Sequence, residues 1–325
     1  MLLRTLLVAV GAVLAAHGAT GSLRPQCGGA LPGQDPNAAA TCGMCHRETH
    51  AEWQKSAHAR AWTDPIYQKA LKGKDRPQLC HSCHIPGSVL ERLGQKPHVR
   101  ELQLDDGVGC SSCHQRGEAL HGPFELHTDA HPSEQDPAFT GQGSVALCSS
   151  CHDLRIADVL PVAKDFARST LPEQGRTCVG CHMPAVERQL AVSPATGKLQ
   201  GETRKGRSHE LRGPADAEFC AKAFELELEQ KGDKLVVHLR NTAGHGVPGY
   251  VGRTFPVLLV LVDNKGSPLR DHKLLLSSDN PLLVEEDRQI ELPAPANAVA
   301  VEVQIDHLFG GKLVATVCKR RLERK

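Results

Sequence analysis

Cys42-Gly-Met-Cys45-His46 is the first of five copies of one pattern, followed by Cys80-His-Ser-Cys83-His84, Cys110-Ser-Ser-Cys113-His114, Cys148-Ser-Ser-Cys151-His152 and Cys178-Val-Gly-Cys181-His182. Together they take ten of the chain's 13 cysteines. C-x-x-C-H is the attachment pattern of c-type haem. Its two thiols reach the two vinyl groups on one porphyrin edge, and the histidine that follows falls beneath the iron as proximal ligand. A zinc knuckle and a dithiol redox pair use similar cysteine spacings. A redox pair needs no histidine, however, and zinc sites rarely repeat this pentapeptide five times. The reading is five covalent haems c, attached through Cys42, Cys45, Cys80, Cys83, Cys110, Cys113, Cys148, Cys151, Cys178 and Cys181, with His46, His84, His114, His152 and His182 as proximal ligands.

The motifs start at 42, 80, 110, 148 and 178, a spacing that alternates between 38 and 30 residues. This is a 68-residue unit with two sites, echoed locally by Leu79-Cys80 and Leu147-Cys148, or a coincidence of loop lengths. So few residues per site cannot enclose a porphyrin, so neighbouring haems must share walls. Composition agrees: 325 residues hold only 7 Phe, 2 Trp and 2 Tyr, and porphyrins supply the flat apolar bulk that aromatic side chains usually provide.

Charge excludes one class of partner. With 38 Lys and Arg against 37 Asp and Glu the formal charge is +1, which gives no basic field for nucleic acid. Ten ionised propionates and five irons would bring the processed chain to about −5 oxidised and about −10 reduced. Arg4, the apolar run 6–16 and the small residues around Ala19 mark residues 1–19 as a signal peptide, too short to span a bilayer. A buried N-terminal helix suits these flanks less well. The processed chain is expected to be exported, periplasmic or extracellular, with no membrane span.

Residues 20–215 then form the haem domain, mostly α-helical and irregular. His46 to Trp62 reads as a helix ended by Asp64-Pro65, and 157–168 reads as another, weakened by Pro161. Gly141 to Ser144 reads as a flexible join. Beyond about residue 215 the pattern turns to β. Phe224-Glu-Leu-Glu-Leu-Glu229 alternates strictly. Further strands are expected at 235–239, 255–262, 273–276, 288–292, 298–305 and 313–317. Seven short strands suggest an immunoglobulin-like β-sandwich over 216–325. Cys220 and Cys318 bracket it, and an oxidising compartment allows a disulfide between them; Cys27 is left over.

A haem that only carries electrons needs a sixth ligand. Methionine is scarce and histidine abundant (18 in all), so bis-histidine ligation is the default. A histidine just after its own motif lies on the wrong side of its haem, so distal ligands must come from other units. The candidates are His58, then His131 with His127 and His121 as rivals, His209, and His245 in a Gly-rich loop. His238, His272 and His307 read as ordinary strand or loop residues; His50, His81 and His98 are left open. The two tyrosines, Tyr67 and Tyr250, stand in no informative context.

Four stretches carry a resemblance: Cys42-x-x-Cys45-His46 with Glu52-Trp53 and Ser56-x-His58; Gly122-Pro123-Phe124 to His131-Pro132, with the fourth motif; Cys178-x-x-Cys181-His182-Met183-Pro184 with His209; and Asn241 through Gly244-His245-x-x-Pro248-Gly249 to Arg253. The chain resembles the multihaem c-type cytochromes related to the tetrahaem electron acceptor of hydroxylamine oxidation. The resemblance implies distal roles for His58, one loop histidine, His209 and His245. This chain lacks the family's threonine in the last loop and a further histidine after residue 131, which leaves one haem without an assigned ligand.

The function favoured is electron transfer between a redox donor and an acceptor protein, with self-association as a further role for the β-domain. The alternative is a reductase or oxidase of a small nitrogen or sulfur compound at one five-coordinate haem. The catalytic Cys-x-x-Cys-Lys variant of related nitrite reductases does not occur here, which favours a carrier over an enzyme.

Overall fold

The computed structural model describes residues 35–153 and 160–324. The proposed signal segment, Cys27 and the first residues of the expected 157–168 helix lie outside them. Among the described residues no helix is long and apolar enough to cross a membrane.

The first region is built of short helices: α1 Ala39–Cys45, α2 Arg47–Lys55, α3 Pro65–Leu71, α4 Gln78–His84, α5 Cys110–His114, α6 Gly143–His152, α7 Val162–Arg168 and α8 Cys178–His182. Each of the five motifs ends one of them, so each cysteine pair spans a helical turn with its histidine just beyond. The Thr177 hydroxyl caps α8 by accepting from Gly180 N, 3.0 Å away. Short strands β1 Gln115–Arg116, β2 Ala119–Gly122 and β3 Ser133–Gln135 follow α5. After α8 comes an antiparallel hairpin, β4 Ala185–Val192 and β5 Leu199–Arg207, paired from Ala185↔Arg207 to Val192↔Leu199. This hairpin was not expected: its strands are strongly charged and glycine-bearing, without the apolar alternation that marks a strand.

The helix expected over 46–62 stops at Lys55. From there the chain is captured by a neighbour: the His58 carbonyl accepts from Val108 N at 2.9 Å instead of continuing the helical ladder. Gly107 makes that approach possible. A Cβ there would stand 2.4 Å from the His58 oxygen, and its φ of +55° suits glycine. Residues 141–144 are not a flexible join. Ser144 is fully buried, and a Cβ on Gly143 would meet the Pro137 carbonyl at 2.1 Å, so the segment is packed backbone against backbone. The second expected helix is seen as α7, with Pro161 at its N-cap, where a missing N–H costs nothing.

The helix α9 Ala217–Ala221 leads into seven strands: β6 Phe224–Lys231, β7 Lys234–Asn241, β8 Arg253–Val262, β9 Pro268–Leu276, β10 Asp287–Pro293, β11 Ala300–Phe309 and β12 Lys312–Glu323. They form a three-stranded sheet, β10-β7-β6, and a four-stranded sheet, β12-β11-β8-β9. Every expected strand is present, most of them longer at their ends. On β6, Phe224 and Leu226 are buried while Glu225 and Glu227 are exposed. The two sheets share one apolar core, to which Leu235, Leu239, Leu259, Leu261 and Ile305 contribute with no exposed surface. Each such side chain contributes about 1.5–3 kcal/mol on burial. Cys220 and Cys318 both pack against this core as free thiols, with no disulfide between them; the Cys220 thiol faces the Gly213 carbonyl instead.

Among the described residues the motif region has no comparable core. Its apolar cluster of buried residues is Ala39, Trp53 and Ala59.

Candidate haem sites

Four of the five motif histidines share one local chemistry. Nδ1 of His46 lies 2.7 Å from the Leu190 carbonyl, that of His84 2.6 Å from Ala61 O, that of His114 2.7 Å from His121 O, and that of His182 2.6 Å from Arg212 O. A carbonyl only accepts, so each Nδ1 carries the proton and each Nε2 keeps its lone pair for a metal. Three of the candidate distal histidines are prepared in the same way. Nδ1 of His131 faces the Ser133 hydroxyl at 3.0 Å and Pro132 O at 3.3 Å, that of His209 faces Arg207 O at 3.0 Å, and that of His245 faces Gly246 O at 3.0 Å.

Four motif histidines face a second histidine from elsewhere in the chain. The ring centres are 6.5 Å apart for His46 and His131, 6.2 Å for His58 and His152, 6.2 Å for His114 and His209, and 6.4 Å for His182 and His245. A metal–imidazole bond is about 2 Å long and the ring centre lies roughly 1 Å behind its nitrogen, so two imidazoles across one iron should stand about 6 Å apart. Burial favours the neutral, ligating form. Burial, and then repulsion by the nearby His152 and His182 rings, lower His58 to about 4. Burial likewise lowers His114, next to His209, to about 4, and it pulls down His131, His209 and His245.

Distant elements hold these rings. Glu52 on α2 binds Arg188 of β4 through both oxygens, at 2.7 and 2.8 Å, and also accepts from His209 N at 2.9 Å. The hairpin therefore supports His46 through Leu190 and His209 through Arg188. His245 sits between β7 and β8, in a loop tied to Asn241. The Asn241 amide donates to the carbonyls of His245, Leu282 and Leu283 at 2.8–3.0 Å. Asp165 on α7 accepts from Gly246 N at 3.1 Å.

His121 and His127 are not brought to a motif histidine. The His121 ring is buried beside Asp136, with Nδ1 3.3 Å from its carboxylate, and only its backbone carbonyl reaches His114. His127 lines an open groove next to His131. Of the histidines left open, His50 packs on Gly43 and Trp53, and His81 meets the edge of Trp62.

His84 differs from the other four. Among the described residues the ring packed on it is Tyr67, 3.6 Å away and parallel within 4°. Sequence reasoning missed this residue, because nothing in the spacing from Tyr67 to Cys80 marks the contact. The supporting carbonyls of Leu190, Ala61 and Arg212 were equally invisible, since any residue offers a carbonyl.

The arrangement fits c-type haem. Among the described residues no three histidine, cysteine or carboxylate side chains converge as a zinc knuckle would require. The sparse apolar packing leaves room for porphyrins. Arg188 Nε is a buried donor without a partner among the described residues, of the kind a propionate would satisfy. Thiols of different motifs are also neighbours: Cys42 of Cys110, Cys83 of Cys151 and Cys148 of Cys178. These contacts join the first motif to the third, and the second to the fourth and fifth.

Residues 41–115 match the family described as cytochrome c554 and c-prime. Cytochrome c-554 of Nitrosomonas europaea is 28% identical over 133 residues, which cover 34% of this chain and 54% of that protein. The match thus spans about half the length of that curated relative. A solved structure, the penta-haem cytochrome c552 from Thermochromatium tepidum, superposes with a TM-score of 0.62 at 17% identity, over 88% of this chain and 98% of the other. That likeness concerns the fold alone. By its motifs, its fold and these matches, the chain is similar to the multihaem c-type cytochromes of the cytochrome c554 family.

Proposed function

We propose that the chain is an exported, periplasmic or extracellular pentahaem cytochrome c that carries electrons between a donor and an acceptor protein. The observation that carries this reading is the set of four histidine pairs with ring centres 6.2–6.5 Å apart. Haem supplies reversible one-electron chemistry when bound; the residues set ligation, spacing and solvation. The ten motif cysteines hold the porphyrin edges. His46 and His131 ligate the first haem, His114 and His209 the third, His152 and His58 the fourth, and His182 and His245 the fifth. Paired ligands keep an iron closed to substrates and suit a carrier. Residues 1–19 are the signal peptide, 20–215 the haem domain, and 216–325 an immunoglobulin-like sandwich. The strand order β10-β7-β6 facing β12-β11-β8-β9 supports that last assignment.

A second reading is favoured by His84, whose neighbouring ring is Tyr67 rather than a histidine. Its iron would keep one open position and could reduce or oxidise a small nitrogen or sulfur compound. Low-temperature EPR of the fully oxidised protein, with haem counted by mass spectrometry, tests both. Five low-spin ferric centres make the protein a carrier only. Four low-spin centres and one high-spin centre open the second reading, and nitrite, hydroxylamine and sulfite are then the ligands to titrate. Fewer than five haems ends the pentahaem assignment.

A further inference from the structure

Tyr67 lies on α3, where the Asp64 carboxylate accepts from Ile66 N at 2.8 Å and Tyr67 N at 3.1 Å and so fixes the start of the helix. Its ring lies flat on the His84 imidazole. A separation of 3.6 Å puts both rings on one side of whatever His84 ligates. A ring on the far side would stand about 6 Å away, as in the four histidine pairs. Tyr67 is therefore not a sixth ligand.

Its hydroxyl is buried and has no hydrogen-bond partner among the described residues. Burial, and then the nearby Cys80 and Cys83 thiols, push the phenol up. Trp62 closes the group, 6.0 Å from Tyr67 and 5.3 Å from His81. The chain has 2 Trp and 2 Tyr, and one of each is used here.

We propose that Tyr67 is a positioning residue for His84: its ring fixes the rotation of the imidazole about the metal–nitrogen bond. An imidazole is steered by the hydrogen bond at Nδ1 and by what packs on its faces. His84 has the Ala61 carbonyl for the first and Tyr67 for the second, as His114 has the His121 carbonyl and the Phe139 ring, 4.7 Å away and within 15° of parallel. A fixed rotation gives one orientation of the ring against the pyrrole nitrogens, and the rhombic splitting of the ferric signal reports it. The proposal rests on haem attachment at Cys80, Cys83 and His84, whatever the number of ligands on that iron.

The test compares full-length holoprotein with Tyr67→Phe and Tyr67→Leu, haem counted by mass and the oxidised EPR spectrum recorded for each. Tyr67→Leu removes the stack. The signal of the His84 haem should broaden or split, while those of the four paired haems stay in place. Tyr67→Phe keeps the ring, and the wild-type splitting should return, a rescue that a general folding defect would not give. If Tyr67→Leu does not take up five haems, Tyr67→Met serves for the same comparison. A spectrum of the leucine or methionine variant that superposes on wild type overturns the proposal. The open-position reading is judged on the wild type alone. If no high-spin signal is found there, that reading ends, and Tyr67 stands or falls on whether its loss moves the fifth low-spin signal.

Discussion

Replacing Asn241 with alanine should loosen the loop that carries His245. The Asn241 side chain is buried; it donates to the carbonyls of His245, Leu282 and Leu283 and accepts from Ala243 N at 2.8 Å. These four bonds are not equivalent. Leu282 O also accepts from Val247 N, and Leu283 O from Glu286 N, so both keep a backbone donor when the amide is removed. His245 O and Ala243 N lose the partner that Asn241 supplied. A buried polar group left without a partner costs about 1–3 kcal/mol, so the pair costs about 2–6 kcal/mol. A surface substitution stays within about 0.5 kcal/mol. Urea unfolding followed by far-UV circular dichroism should show the midpoint fall with an unchanged slope. Oxidised EPR should show the signal of the His182 haem altered and the others intact. Asn241→Asp is the discriminating control: it keeps the acceptor for Ala243 N but faces three carbonyls with a carboxylate, and should be worse than alanine. If Asn241→Ala unfolds with wild type and its spectrum is unchanged, the amide does not hold the loop.

The ligand pairs make a sharper set of expectations. Alanine at His131, His58, His209 or His245 should convert one haem each from low to high spin, those of His46, His152, His114 and His182 respectively. EPR would refute the pairing wherever a variant alters none or two. Glu52→Gln should cost about 2 kcal/mol, because Arg188 loses the carboxylate that binds it through both oxygens and keeps only that of exposed Glu48, at 3.2 Å. It should also shift the His114 haem, since His209 N loses a charged acceptor; a redox titration followed by EPR reads that haem separately. The sandwich should have its own pH dependence. The Asp287 carboxylate, followed by that of Glu229, holds His238 above its ordinary value. The protonated pair stabilises β7 fully below about pH 6.5, and the contribution is lost as pH rises through the folded value. Hydrogen exchange of β7 should therefore quicken more between pH 6 and 8 than base catalysis alone explains, and His238→Gln should remove the excess.

Different physics governs what could be read from the residues alone. Attachment chemistry is local: five residues carry two thiols and an imidazole at fixed spacing, so the motifs are visible without a fold. The sandwich strands are visible because their faces differ in polarity, as Glu225 and Leu226 do. The long-range partners carry weaker marks. His58 could be singled out as a histidine away from its own haem, but not that it meets His152, because that depends on the Gly107 contact that ends the helix. Among His121, His127 and His131 only geometry chooses, and it brings His131 to His46. Tyr67 and the supporting carbonyls left no trace at all. The β4–β5 hairpin escaped for the opposite reason to the sandwich: its burial is partial on both faces, so no period appears. Much of what it packs against is not side chain.

The place of His245 changes what the β-sandwich is for. The loop between β7 and β8 reaches from the strand region to His182, with ring planes within 13° of parallel. Asp165 of α7 holds Gly246 N, and Glu285 holds Thr170 N at 2.9 Å. A sandwich that only docked a partner would need none of these contacts. With His245 as ligand, the fifth haem is shared between both regions, and a metal–ligand bond adds to a polar contact of modest area. The boundary near residue 215 is then a change of secondary structure and not a seam. Movement of the sandwich away from α7 would open the iron at His182. Under the proposed ligation by His245, closure of the haem at His182 and the seating of the β-sandwich would be one equilibrium: whatever strengthens the Asn241 and Asp165 contacts would keep that iron closed, and whatever weakens them would expose it.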